Sequence, residues 1–211
     1  MPIPHALPKR STARADNAIV PALDESQRML CWFGGTILLA LSDGMVVLRP
    51  WRAADKNTLV RYANNHAVWI NLKDRFPFPY SPEDADAWLA RCATEALNPT
   101  HFAIEVQDSP VGGIGLEFLQ DVYRLTAEIG YWVAEPFWGK GIATSALKQL
   151  TAHAFATFPL ERLQASVFEW NPASARVLEK AGYTLEARLR RNIVKDGRMG
   201  DSLLFARLRD L

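Results

Sequence analysis

Gly130-Tyr-Trp-Val-Ala-Glu-Pro-Phe-Trp-Gly-Lys-Gly-Ile-Ala-Thr-Ser-Ala-Leu147 is the stretch that decides the fold. It begins as an aromatic and β-branched strand, breaks at Pro136, and restarts as a helix opened by Gly139 and Gly141. The first turn of a helix attracts anions, because its backbone N–H groups lack partners and the positive end of the helix dipole lies there. Glycines let a phosphate approach that backbone because they carry no Cβ. The stretch therefore predicts a phosphate-bearing cofactor between the end of a strand and the start of a helix.

The composition is that of an ordinary globular protein with one full-sized core. Of the 211 residues, 49% are hydrophobic, and the formal net charge of +1 argues against a dedicated nucleic-acid binder, which would carry a strong basic excess. Cys31 and Cys92 lie far apart and share no metal-ligand spacing, so we expect buried thiols in a reducing, cytoplasmic compartment and no metal site. The longest apolar run, from Met29 to Leu41, is too short to cross a membrane.

Residues 1–44 are predicted to form a partly irregular N-terminal extension, and residues 45–211 the folded domain. Four prolines interrupt residues 1–28, where several basic residues precede the first acidic one, Asp16. Transit peptides share this basic, acid-poor character, but prolines oppose the amphipathic helix that such peptides need. An irregular extension is the preferred interpretation, and organelle targeting is left open.

Beyond the extension, hydrophobic periodicity and turn residues predict alternating strands and helices. A helix start is indicated at Ser81, which can cap the helix, followed by Pro82 at the first helical position. We expect strands at residues 45–50, 102–106, 111–118, 126–133, 162–168, 184–194 and 201–208, with helices at 53–65, 81–97, 141–157 and 171–180. This order predicts an α/β fold in which a mixed sheet carries helices on its faces.

Two segments leave alternatives open. The aromatic and proline-rich loop Phe76-Pro-Phe-Pro-Tyr80 is either a lid packed over the core or a wall of a pocket. The glycines at 112, 113 and 115 lie inside a predicted strand, where they indicate either a β-bulge or a surface that something approaches closely.

Two common glycine motifs do not fit the opening stretch. A P-loop requires Ser or Thr after its lysine, and Gly141 stands there. A dinucleotide-binding fingerprint requires a third glycine where this chain has Thr144.

Trp138-Gly-Lys-Gly-Ile-Ala143 resembles the acetyl-CoA loop of the GNAT N-acetyltransferases, usually written Gln/Arg-x-x-Gly-x-Gly/Ala. Gly141 and Ala143 match its last two defined positions, and Trp138 replaces the polar first one. Ala127-Glu-Ile-Gly-Tyr-Trp132 before the loop and Asn171-Pro-Ala-Ser-Ala-Arg-Val-Leu-Glu-Lys-Ala-Gly-Tyr183 after it resemble the ribosomal-protein-alanine (Rim-type) branch of that family. The resemblance covers about residues 45–210.

This resemblance implies the GNAT acyl-CoA N-acyltransferase fold: a mostly antiparallel, twisted sheet with splayed central parallel strands and helices on both faces. The splayed pair would be the strands at 127–133 and 162–168. The implied cofactor is acetyl-CoA (coenzyme A), with its pantetheine along the backbone of the first strand and its pyrophosphate on the N–H groups of residues 138–143. The Thr144 and Ser145 hydroxyls would lie in reach.

Several of the implied cofactor contacts have a simpler alternative. Trp138 would pack against the loop, and Lys140 would either contact a phosphate or point to solvent. Asn171 would bind pantetheine, cap its helix, or do both. The implied cofactor-binding residues are Ile129, Tyr131, Trp132, Val133, Trp138, Gly139, Lys140, Gly141, Ile142, Ala143, Thr144, Asn171 and Ser174.

The implied reaction is direct attack of an amine on the thioester through a tetrahedral oxyanion, which backbone N–H groups can stabilise. Many family members protonate the leaving sulfur with a tyrosine seven residues after the asparagine, but Leu178 stands there. Ser174 is the substitute candidate, with a structural hydroxyl as its alternative. Glu128 is the first candidate for the base, ahead of Glu117 and Glu169, although it could equally be an exposed carboxylate. A carboxylate on the penultimate strand, which the ribosomal-protein branch can use, is absent at Asn192-Ile-Val.

The acceptor is expected to be a primary amine, either a protein N-terminus or a small amine. An α-amine titrates at about 7.7–8.0, so on the order of a tenth is neutral at pH 7 and little help from a base is needed. The basic residues Arg188, Arg190, Arg191, Lys195 and Arg198 would either form a solvated strand edge, which is the preferred interpretation, or attract an acidic partner such as RNA. A homodimer is left open. The alternative to an enzyme is a non-catalytic acyl-CoA-binding protein on the same fold.

Overall fold

The computed structural model describes residues 28–33, 36–95 and 99–210 of the chain. The strands are β1 (Arg28–Phe33), β2 (Thr36–Ser42), β3 (Val47–Pro50), β4 (His101–Val106), β5 (Ser109–Phe118), β6 (Thr126–Val133), β7 (Arg162–Phe168), β8 (Thr184–Lys195) and β9 (Arg198–Leu208). The helices are α1 (Lys56–Ala63), α2 (His66–Trp69), α3 (Pro82–Thr94), α4 (Ile142–Thr157) and α5 (Pro172–Lys180).

These strands form one mixed sheet in the order β1-β2-β3-β4-β5-β6-β7-β9-β8. Neighbouring strands are antiparallel except β6 and β7, which run parallel. The predicted α/β class with a mostly antiparallel sheet is therefore confirmed. Among the described helices, none combines the length and apolar composition that spanning a bilayer needs.

Helices cover both faces of the sheet. On one face α4 and α5 bury Leu147, Leu150 and Leu178 against strand residues such as Ile129. On the other face α1 and α3 build a second apolar cluster around Trp51, in which Cys92 is buried. Burial raises the pKa of the Cys92 thiol to about 12, as expected for an inert core cysteine. The side chain of Cys31 lies outside the described residues.

The start of α3 follows from its sequence as predicted. Ser81 accepts a hydrogen bond from the backbone N–H of Asp84, whose carboxylate accepts one from the Ser81 N–H in return. Pro82 occupies the first helical position, where its missing N–H costs nothing. The helix ends at Thr94, and residues 96–98 of the longer predicted helix lie outside the described part of the chain.

An N-terminal hairpin is the main element that the sequence did not predict. β1 and β2 lie within residues 1–44, and β2 continues the sheet by pairing Leu41 with Leu48 of β3. The predicted strand from Met45 starts two residues later, because the Asp43 carboxylate accepts the N–H groups of Met45 and Val46 in a turn. The expectations for residues 1–27 lie outside the described residues, and the division of the chain at residue 44 stays a prediction.

The glycines of β5 mark close approach by neighbouring side chains. A Cβ at Gly115 would lie 2.3 Å from the ring of His101, and one at Gly113 would lie 2.9 Å from the indole nitrogen of Trp132. A register shift between Ile104 and Glu105 also places a bulge in this hairpin. Both alternatives for this strand therefore contribute.

Candidate active site

The sheet opens between its two parallel strands. β6 and β7 pair only from Thr126 to Glu128, opposite Arg162 to Gln164. Both strands continue, to Val133 and Phe168, without further pairing to each other. The central gap that the sequence led us to expect is therefore present.

Backbone groups of β6 line this gap. The Ala134 N–H donates to Val111 on β5, so the alternation of an antiparallel ladder turns Ile129, Tyr131 and Val133 away from β5 and towards the gap. Three of the four strand residues predicted to bind the cofactor are thus in position. Trp132 is the exception, because the same alternation turns its backbone to β5 and its ring packs against Phe76.

The glycine loop leads from the gap into α4. Gly139 and Gly141 adopt φ angles of 73° and 79°, which glycine tolerates best, and no heavy atom lies within 4 Å of a Cβ built on either residue. Gly141 is the N-cap and provides no side-chain acceptor for the first turn. The N–H groups of Ile142, Ala143 and Thr144 therefore face an open, glycine-lined approach, which fits a phosphate group.

Trp138 connects this loop to the gap. Its indole N–H donates to the carbonyl oxygen of Val133 at 2.6 Å, while nearly half of the residue is exposed. Lys140 donates to the Pro136 carbonyl at 3.0 Å and lies over the ring of Phe137. Both side chains thus contact the loop backbone, and Lys140 is exposed, so its two alternatives, a phosphate contact or a solvent position, both stay open.

Ser145 differs from its expected role. Its hydroxyl donates to the carboxylate of Asp43, so it is not free to meet a phosphate. Burial would raise the pKa of Asp43, but the hydrogen bonds from Ser145 and from the Val46 and Met45 N–H groups outweigh it and lower that pKa. The hydroxyl that stays available in this turn is that of Thr144.

The start of α5 faces the gap from above β6. Asn171 caps the helix by accepting the N–H of Ser174 at 3.1 Å, so its structural role is present whatever else it binds. The hydroxyls of Ser174 and Tyr131 lie 2.9 Å apart. Leu178, at the position where many relatives carry a tyrosine, is fully buried in the core.

Glu128 projects to the other face of the sheet. Its carboxylate pairs with Lys73 at 2.6 Å, and about a quarter of its side chain is exposed. Gly130 lies two residues further along the same face, and it leaves open space where a side chain would stand. This opening gives Glu128 access to the gap beside it.

The two other candidate bases are held more tightly by cations. Burial would raise the pKa of Glu117, but Arg75, Arg91 and His101 outweigh it and hold that pKa below its usual range. Glu169 accepts both Arg188 and the N–H of Asp201. The cations around Glu117 therefore keep that carboxylate charged at neutral pH.

A cleft of about 360 Å³ lies on the same face as Glu128. Ser166 and Phe168 form part of its floor, and they share the face of Gln164, which pairs with Glu128. The complete lining is Leu72, Lys73, Asp74, Ser166, Phe168, Asn192, Ile193, Val194, Lys195 and Ser202. The loop Phe76–Tyr80 does not line it; Phe76 and Tyr80 pack into the second core cluster, which supports the lid interpretation of that loop.

Sequence reasoning missed Lys195 as a structural part of this cleft. Its side chain is 2% exposed, pairs with Asp74 at 2.7 Å, and places its ammonium group 3.7 Å from the ring centre of Trp69. The one available signal was a lysine directly before the Asp196-Gly197 turn, which by itself looks like an ordinary exposed residue.

The family description "Acetyltransferase (GNAT) domain" matches residues 45–184. The chain belongs to the GNAT acetyltransferase family. The resemblance that the loop and its two flanking segments carried is thus confirmed. The gap, the glycine loop and α5 all fall within the matched residues.

Individual relatives point to the same branch. The chain is 34% identical over 113 residues to "Putative ribosomal N-acetyltransferase YdaF" of Bacillus subtilis, covering 54% of this chain and 61% of the relative. It is 32% identical over 109 residues to the ribosomal-protein-serine acetyltransferase of Escherichia coli, covering 52% and 60%. The structure of Mycobacterium smegmatis RimJ in complex with CoA-disulfide superposes with a TM-score of 0.67 at 30% identity, covering 77% of this chain and 81% of that one. The chain thus spans about three fifths of the length of the two curated relatives, from Bacillus subtilis and Escherichia coli.

Proposed function

We propose that the protein is an acetyl-CoA-dependent N-acetyltransferase that transfers an acetyl group to a primary amine by direct attack. The observation that carries the proposal is the continuous path formed by the β6–β7 gap and the glycine loop at the start of α4. A gap lined by strand backbone suits an amide-containing chain, and the loop suits the phosphates at the end of that chain. Family membership supports the same assignment.

The cofactor would be held mainly by backbone groups. Ile129 and Tyr131 offer N–H and C=O groups to pantetheine, and Val133 offers its N–H group, because its carbonyl already accepts the Trp138 indole. Residues 139–144 offer N–H groups to the pyrophosphate. When bound, acetyl-CoA supplies an activated thioester carbonyl and a thiolate leaving group. Asn171 and Ser174 stand beside the gap at the start of α5, where they can contact its thiol end.

Glu128 is proposed to take the proton from the amine, directly or through a water molecule. It lies on the opposite face from α5, next to the open space at Gly130, so an amine arriving on that face meets it first. The other carboxylates nearby are held in ion pairs with Lys195, Arg188 or the arginines around Glu117. A site with such limited base strength suits an α-amine, about a tenth of which is already neutral at pH 7.

The cleft beside Glu128 is proposed to bind the acceptor. Its volume suits a small amine or the first residues of a peptide, and Ser166, Asn192 and Ser202 give it polar groups. Asn192 and Ser202 bond to each other through side chain and backbone, at 2.8 and 3.0 Å, which fixes that wall. A protein N-terminus is the preferred acceptor because the relative from Escherichia coli is named a ribosomal-protein-serine acetyltransferase, and a cytoplasmic location would match it.

A thiol-release assay tests the proposal. With acetyl-CoA at pH 7, we expect coenzyme A release to depend on added peptides with free N-terminal amines. Peptides blocked at the N-terminus, and polyamines whose nitrogens titrate near 10, should release far less. Tight binding of acetyl-CoA without turnover of any amine would instead support a non-catalytic acyl-CoA-binding protein, and absence of binding would rule out both functions.

A further inference from the structure

The Tyr131 hydroxyl links β6 to α5 at the gap. Its oxygen lies 2.9 Å from the Ser174 hydroxyl oxygen, where either group can donate, and 3.2 Å from the Ser174 carbonyl oxygen, so the single phenol proton can be directed to Ser174 Oγ. Tyr131 belongs to the strand whose backbone faces the gap, and Ser174 to the first turn of α5. The pair therefore joins the two elements that flank the thiol end of the proposed cofactor.

A second tyrosine–hydroxyl pair in the same core provides a comparison. The Tyr183 hydroxyl lies 2.8 Å from that of Thr151, and both residues are buried between α4 and the strand layer. This pair satisfies two buried hydroxyls and joins Tyr183 to α4, not to α5. Tyr183 lies near enough to Tyr131 to contribute to the raised pKa of that residue. Ser174, in contrast, is only partly buried, at the edge where α5 begins.

We propose that Tyr131 is a positioning residue that donates its hydroxyl proton in a hydrogen bond to Ser174 Oγ and so directs the Ser174 O–H towards the leaving sulfur. This inference rests on the proposed function. Leu178 is buried and apolar, so the helix position that often carries a tyrosine has no donor here. Tyr131 instead supplies a phenol from the strand to the first turn of α5, one turn before Leu178.

The proposed acetyl transfer balances without a proton leaving the Tyr131–Ser174 pair. The amine nitrogen bonds to the carbonyl carbon, the C–S bond breaks, and its electron pair stays on sulfur as a thiolate. The proton lost by the amine passes to the Glu128 carboxylate. A thiol titrates near 8.5, well below a serine hydroxyl, so Ser174 stabilises the thiolate by donating a hydrogen bond and keeps its proton.

Burial supports this role for Tyr131. It raises the pKa of the tyrosine to about 12, against a smaller opposing effect of the Ser174 hydrogen bond. Tyr131 therefore remains a neutral phenol, and thus a donor, throughout the pH range in which a thiol titrates. A hydrogen bond into Ser174 Oγ also polarises the serine O–H and strengthens its outward donation.

The test measures the binding of coenzyme A, the free thiol product, from pH 7 to pH 9.5 by calorimetry. If the pair stabilises the thiolate, the dissociation constant of the wild type falls about tenfold over this range. Tyr131→Phe and Ser174→Ala should each reduce that fall to about threefold or less, and the double variant should match Ser174→Ala. Tyr183→Phe, the matched control, should keep the wild-type pH dependence.

Each outcome decides the inference. A wild-type pH dependence retained in Tyr131→Phe would overturn it, as would an equal loss in Tyr183→Phe. Stronger thiolate binding in Tyr131→Phe would show that the tyrosine sequesters the serine proton, which is the opposite role. Coenzyme A that fails to bind the wild type would instead overturn the proposed function, so the two failures are distinguishable.

Discussion

Two glutamates face each other across β5 and β6, and their partners distinguish them. Glu117 and Glu128 are directly opposite, an arrangement of like charges that is unfavourable unless each has a cation. Lys73 forms an ion pair with Glu128, whereas Arg75 and Arg91 both form ion pairs with Glu117. A flexible, half-exposed lysine can move aside more easily than two arginines, so Glu128 is the carboxylate that can accept a proton.

Replacing Glu128 with glutamine should therefore lower kcat at pH 7 by on the order of 10- to 100-fold, because the amine loses its proton acceptor. The deficit should shrink towards pH 9, where an α-amine is already neutral. Steady-state rates with an N-terminal peptide across this range measure both effects. Glu117→Gln is the control and should stay within about threefold of the wild type; a larger loss in that variant than in Glu128→Gln would refute the assignment.

At the residue scale, the sequence located site residues but not their side-chain partners. Asn171 and Ser174 were placed by a local motif that repeats across a family. The contacts of Ser174 with Tyr131 and of Glu128 with Lys73 join residues 43 and 55 positions apart, so no local pattern records them. Trp138 was expected to pack against the loop, but its hydrogen bond to Val133 depends on how the loop turns back and was not predicted.

One buried cation ties the β8–β9 hairpin, which the β7–β9 ladder holds in the sheet, to the opposite wall of the cleft. Lys195, just before the hairpin turn, is held by Asp74 and by the face of Trp69, which lie on the opposite wall. Such a cation–π contact contributes on the order of 0.5–2 kcal/mol. Lys195 therefore couples the two walls of the cleft, beside an exposed contact at 3.9 Å between His66 and Asp196 of the hairpin turn.

Lys195→Met should raise KM for the acceptor several-fold while kcat changes less than about twofold. Methionine keeps the buried apolar stem, and Asp74, three quarters exposed, stays solvated without a buried-charge penalty. Initial-rate kinetics with varied peptide separates the two constants. Lys56→Met, which removes an exposed ion pair with Asp86 away from the cleft, should leave KM unchanged; an equal rise there would contradict the role of Lys195.

At the element scale, the strands and helices from β3 to β9 follow from the sequence within a few residues, except the one-turn helix α2, which was not predicted. Alternation, caps and turn residues act locally, as the Ser81 cap and the Asp196-Gly197 turn illustrate. The parallel pairing of β6 with β7 came only from the family resemblance, because strand direction in a sheet is set by tertiary packing. β1 and β2 were missed because their apolar run was considered only as a membrane-span candidate.

For the whole molecule, the sheet includes residues that precede the matched family region. Leu41 on β2 is 5% exposed and belongs to the main core cluster, although it lies outside the predicted domain of residues 45–211. We infer that the hairpin is part of the folding unit.

Leu41→Ala should accordingly reduce the free energy of unfolding by about 2–5 kcal/mol, the usual cost of a buried leucine. Urea denaturation monitored by circular dichroism measures it. Met45→Ala, at an exposed position inside the predicted domain, should change that free energy by less than about 0.5 kcal/mol. A neutral Leu41→Ala would mean that the domain begins after β2, as expected from the sequence.

The whole protein should lose stability in acid. Asp43, Glu95 and Glu117 each have a pKa below the ordinary value. Burial alone would raise each pKa, but hydrogen bonds and neighbouring cations outweigh this effect. These groups therefore bind protons more weakly when folded than when unfolded, so unfolding takes up protons as pH falls. The urea midpoint should be flat from pH 8 to about 5 and decline below about pH 4.5. The double variant Glu95→Gln/Glu117→Gln should decline less steeply; an unchanged slope would show that these carboxyls do not matter.

The central claim is that acetyl-CoA binds with its phosphates on the glycine loop before α4, and calorimetric titration of acetyl-CoA tests it most directly. Gly141→Ala places a methyl group where no protein atom lies within 4 Å, in the space assigned to the phosphates. Gly197→Ala is the matched control, since that glycine also has a positive φ and open space around its Cβ but lies in the β8–β9 turn. We predict one site per chain in the wild type, binding at least tenfold weaker in Gly141→Ala, and wild-type binding in Gly197→Ala. No binding to the wild type, or equal affinity in Gly141→Ala and the wild type, would contradict the claim.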